Sequence, residues 1–112
     1  MQPIEQIEVD IETAEKAQAL RDQCVKLLDN EHFKVIIEEE YFQKEAARLT
    51  MAKSSDLNDQ QMRNIENMMY GVGSLRNFLS AIMIRGAQMD QSLKQDEETR
   101  EEMLAEEIEN HG

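Results

Sequence analysis

The sequence predicts an all-α fold: a helical hairpin packed on a long, kinked third helix, with an acidic N-terminal arm and an acidic helical C-terminal tail. Three observations carry this. Proline occurs once, at Pro3, and only four glycines interrupt 112 residues rich in Glu, Gln, Ala, Leu, Met, Lys and Arg. These are the residues that lose least on entering a helix. Between residues 65 and 93, apolar side chains recur at alternating steps of three and four, the signature of a helix with a sustained seam. The net charge of −12 is confined to the ends: residues 1–15 hold five acids and no base, and residues 96–112 eight acids and one base. Acids and bases balance in between, so a neutral amphipathic middle, 11–94, is expected to fold between charged extensions at 1–10 and 95–112.

Residues 1–10 alternate apolar and acidic side chains (Ile4, Glu5, Ile7, Glu8, Val9, Asp10), which reads as an extended arm. Asp10 would then cap a first helix over about 11–29, with Glu12 and Glu15 at its positive end. Its buried stripe would be Ala17, Leu20, Cys24, Leu27 and Leu28, spaced by threes and fours. Asp29-Asn30 interrupts the pattern without proline or glycine, as a tight turn or a kink.

A second helix is expected over 31–52. Phe33, Ile36, Ile37, Tyr41, Phe42, Ala46 and Leu49 spread over a wide face that Val35 extends, implying contact on two sides. Ser54-Ser55-Asp56 marks a loop, and Asn58 with Gln61 three residues later forms a capping box.

The third helix, 58–94, carries the seam Ile65, Met68, Val72, Leu75, Leu79, Ile82, Gly86, Met89 and Leu93. Nothing breaks the helix beyond Ala87, so it continues into the tail, where Met103, Leu104 and Ile108 are the remaining large apolar residues. Length poses a problem. Helices of 19 and 22 residues span roughly 28 and 33 Å, whereas 58–94 spans roughly 55 Å. Either Gly71-Val72-Gly73 bends the helix, or the surplus seam meets another chain. A bend with partial self-association through the seam is the expectation.

Catalytic chemistry finds no support in the residues. His32 and His111 are far apart and isolated from Cys24, so no metal triad is indicated. Cys24 sits on the apolar stripe as a small hydrophobe, and as a lone cysteine it fits a reducing, cytoplasmic setting. Glu38-Glu39-Glu40 fans around a helix by about 100° per residue, and no Glu-x-x-His pair accompanies it. Gly71-Val72-Gly73-Ser74 lacks the remainder of a phosphate-binding glycine pattern and lies inside the seam. No catalytic, cofactor or metal residue is therefore assigned, and a non-enzymatic role is expected. The acidity disfavours direct nucleic-acid binding. No segment reaches the roughly 20 apolar residues of a membrane span, and the acidic start lacks the layout of a signal peptide.

The run Leu27-Leu28-Asp29-Asn30-Glu31-His32-Phe33-Lys34-Val35-Ile36-Ile37, with Glu40-Tyr41-Phe42 and Glu45-Ala46-Ala47-Arg48-Leu49, resembles a group of small acidic helical proteins of tailed bacteriophages. Most of these have no assigned function. The resemblance extends over about residues 4–110, from an acidic start through this centre to a Glu-rich tail. Glu40 departs from it, standing where glycine would be expected before Tyr-Phe. The shared motifs are structural, and no site residue follows from them.

The resemblance implies a role in virion structure or assembly, as a capsid accessory, connector-associated or scaffold-like protein. It places the chain in the host cytoplasm during assembly, and in the virion if retained. The partner would be another copy or a second phage structural protein. Contacts would run through the seam (Ile65, Met68, Val72, Leu75, Leu79, Ile82, Met89, Leu93) and through acidic docking residues Glu97, Glu98, Glu101, Glu102, Glu106 and Glu107. The alternative is an inhibitor whose acids meet the basic surface of a host nucleic-acid-binding protein.

Overall fold

The computed structural model describes residues 3–111, all helical but for short turns. Residues 1 and 2 of the expected arm and residue 112 of the expected tail lie outside the described residues. Helix α1 is Ile4–Leu28. Helix α2 covers 31–53, with a π-helical stretch Lys34–Glu45 between the α-helical Glu31–Phe33 and Ala46–Lys53. Helix α3 is Asp59–His111.

Helix α1 starts seven residues before the expected boundary. The carbonyl of Pro3 accepts from the Ile7 amide (3.1 Å) and closes the first turn. Asp10 is not a cap; it lies inside the helix, where its carboxylate accepts from Gln6 Nε2 at 3.0 Å. The reason is a second pattern under the alternation: Ile4, Ile7, Ile11 and Ala14 step by three, four and three. Of these, Ile7, Ile11 and Ala14 are buried. Burial on a helical face outweighs the weak strand-like alternation.

The Asp29-Asn30 break is a tight turn. Asn30 has extended backbone angles, and its side-chain oxygen accepts from the amides of His32 (2.9 Å) and Phe33 (3.1 Å), an N-cap for α2. The expected capping box opens α3. Asn58 Oδ1 accepts from the Gln61 amide at 2.8 Å, and Gln61 Oε1 accepts from the Asn58 amide at 3.1 Å.

Among the described residues, 3–23 with 82–111 form one compact unit and Cys24–Ala81 forms another. In the first, α1 and α3 run antiparallel. Gln18 Nε2 and Arg21 Nη1 both donate to the Asp90 carboxylate at 2.7 Å, and Gly86 packs directly on the stem of Arg21. In the second, α2 lies along 59–81, tied by Lys53 to Glu66 at 3.7 Å, and Leu49 of α2 is fully buried. Each unit covers its own stretch of the α3 seam, α2 in one and α1 in the other.

The helical run of α3 passes through Gly71 and Gly73 unbroken, and no described glycine has a positive φ. A Cβ at Gly73 would meet nothing within 4 Å, and one at Gly71 would stand 3.6 Å from the Tyr41 hydroxyl. The close approach falls instead at Gly86. An added Cβ there would lie 2.7 and 2.8 Å from Arg21 Cγ and Cδ.

The π stretch alters the face expected for α2. Hydrogen bonding from i to i+5 winds more residues into each turn, so positions aligned at a 3.6-residue period drift apart. Phe33, Ile37, Tyr41, Phe42 and Ala46 are half-buried, while Val35 and Ile36 are exposed. Tyr41 and Phe42 still meet, their ring centres 5.9 Å apart and tilted by 40°.

Candidate interaction surfaces

The α3 seam is mostly spent on packing within the chain. Val72 and Leu79 are buried, and Ile65, Leu75, Ile82, Met89 and Leu93 are half-buried. Met68 alone of the nominated seam residues is more than half exposed, at 53%. Cys24 is buried as expected, its sulfur 3.9 Å from the Leu79 carbonyl oxygen. His32 is exposed at the start of α2.

The unit that contains Cys24–Ala81 presents apolar groups outside the seam. Tyr70 is 77% and Phe78 62% exposed, and Ile36 and Met51 are exposed as well. On a helix, Tyr70 lies roughly 160° round from Val72, and Phe78 about 100° round from Leu79. Beside Tyr70 runs an open groove of about 810 Å³, lined by Met69, Gly73 and Asn77 with the Lys53–Glu66 ion pair. The open space over Gly73 belongs to this groove. Periodicity favours the seam and passes over these two aromatics, although their eight-residue spacing, about two turns, was present in the sequence.

The other unit collects the charge. Its residues hold fifteen acids against five bases, ten of the twelve net negative charges, whereas Cys24–Ala81 holds nine acids against seven bases. Glu97, Glu98, Glu101, Glu102, Glu106 and Glu107 are all exposed on α3. The acidic start of α1 belongs to the same unit, so both acidic extensions of the sequence share one antiparallel pair of helices. Asp96, Arg100 and Met103 are half-buried. The first part of the expected tail therefore packs as well as displaying acids.

Arg21 organises this pair. Its guanidinium bonds Asp90 at 2.7 Å and Asp22 at 3.2 Å, and its side chain is only 20% exposed. Hydrogen bonding to Asp90 raises the Arg21 pKa above its ordinary value. The bond from Arg21, then that from Gln18, holds the Asp90 carboxyl below its ordinary value. On α2, the hydrogen bond from Arg48 lowers Glu45, and the one to Glu40 raises Lys44. These two are local pairs on a helix surface.

Among the described residues, no group of three or more His, Cys, Asp or Glu side chains could hold a metal ion. No described helix is long and apolar enough to cross a membrane. Comparison of the chain with protein-family models, curated proteins and solved structures finds no match.

Proposed function

We propose that this chain is a non-enzymatic bacteriophage protein of virion structure or assembly, working through helix–helix contacts and an acidic docking unit. One observation carries the reading: antiparallel pairing of α1 with α3 brings both acidic extensions into one unit, which holds ten of the twelve net charges. A surface of one sign attracts and orients a basic partner. The near-neutral unit, with Tyr70 and Phe78 exposed, offers an apolar contact of a different kind. The similarity of residues 27–49 to small acidic phage proteins supplies the setting. The partner is another phage structural protein or a second copy, acting in the host cytoplasm during assembly.

A second reading draws on the same helices. Carboxylates stand along both members of the antiparallel pair, and such rows imitate phosphates toward a host nucleic-acid-binding protein. Capture of partners from infected cells, followed by elution with rising salt, tests both. Recovery of particle proteins supports the assembly role. Recovery of a host nucleic-acid-binding protein alone favours inhibition and overturns it.

A further inference from the structure

We infer that the α1–α3 pair of residues 3–23 and 82–111 is a charge-gated hairpin, an inference that rests on reading this unit as the docking element for a basic surface. Its two ends are held very differently. Toward the C-terminal side of α1, Arg21 and Gln18 grip Asp90, and Gly86 lets the helices approach closely. Arg21–Asp90 is the one ion pair that joins α1 to α3 among the described residues of this unit. Toward the start of α1 the described residues show no ion pair between the helices, which are held by apolar packing in which Ile7, Ile11 and Ala14 are buried.

Around that strip the charges are nearly all of one sign. Residues 4–15 carry five acids and no base, and 96–111 carry eight acids with Arg100 as the one Lys or Arg. Asp10, Asp96 and Arg100 are half-buried, and Glu8, beside buried Ile7, and Glu97, beside Asp96, are exposed. Like charges on apposed helices repel over a distance set by the Debye length, about 30 Å at 0.01 M salt and 3 Å at 1 M. The acidic end is consequently loosened at low ionic strength. Screening, or a polycation laid across both rows, closes it. A basic partner that binds the closed form better shifts the population toward it, so docking and ordering of α1 are coupled.

Amide hydrogen exchange of the full chain without a partner tests the gate, with 59–81 in the near-neutral unit as internal reference. Exchange in 4–15 slows by about tenfold relative to that reference between about 0.01 and 1 M NaCl. Glu8→Gln combined with Glu97→Gln slows it already at low salt and flattens the salt response. Equal or faster relative exchange at high salt overturns the gate, as does a salt response that the double variant leaves intact. Binding of poly-lysine to the wild-type chain tests the docking reading separately. That affinity falls with salt while the hairpin tightens, so the two readouts move in opposite directions and fail independently.

Discussion

Gly86→Ala is expected to destabilise the fold although alanine is the better helix former. The new methyl carbon would lie 2.7 and 2.8 Å from Cγ and Cδ of Arg21, and nearer still to its Cβ. Ordinary carbon–carbon contact is about 3.5–4.0 Å. A rotamer change could move Cγ and Cδ, but Cβ is fixed to the backbone, so α1 and α3 must separate by about 1 Å to restore contact distance. Separation also pulls Arg21 from Asp90, which it bonds at 2.7 Å. Overpacking of this kind costs about 1–3 kcal/mol. Replacing an interior helical glycine returns about 1 kcal/mol. The net expectation is a loss of up to about 2 kcal/mol. Urea unfolding followed by circular dichroism reads this as a lower midpoint at unchanged slope. A midpoint equal to or above wild type would refute the close approach of α1 to α3 at Gly86.

Gly73→Ala should do the reverse. Its Cβ enters open space, so the urea midpoint should rise by the equivalent of about 0.5–1 kcal/mol, and a fall would support a glycine-dependent bend. Leu79→Ala, at a seam position only 8% exposed, should cost about 2–5 kcal/mol in the same assay. Asp90 has a depressed folded pKa, so its contribution is fully present above the ordinary carboxyl value near 3.9 and is lost as pH falls through the lowered folded value. The stability gap between wild type and Asp90→Asn should accordingly hold steady from about pH 7 to 5 and shrink below about pH 4. A gap that widens on acidification would contradict the Arg21–Asp90 assignment.

What the sequence disclosed was local. The Asn58–Gln61 capping box needs only its own turn, and both reciprocal bonds are present. The α3 seam is likewise a property of one helix, and Val72, Leu79 and Gly86 lie buried along it. Non-local features were hidden. Ile4, Ile7 and Ile11 satisfy both a strand-like alternation and a helical step, and only the presence of α3 beside them decides between the two. Gly86 reads as one more seam position until Arg21 is seen against it, whereas a Cβ added at Gly71 would stand at ordinary contact distance from the Tyr41 hydroxyl and one at Gly73 in open space. Helix lengths alone do not show which part of α3 each shorter helix lies against. In fact α2 pairs with its first part and α1 with its later part. The π winding of Lys34–Glu45 also defeats any face drawn at a fixed period of 3.6 residues.

The assembly role is tested most directly by counting this chain, with quantitative mass spectrometry, in purified phage particles and in the assembly intermediates that precede them. An assembly protein is present in one or both at a fixed ratio to a structural protein of known copy number, and the ratio survives washing at low salt. Absence from both, with the protein recovered only free or bound to host proteins, would contradict the account.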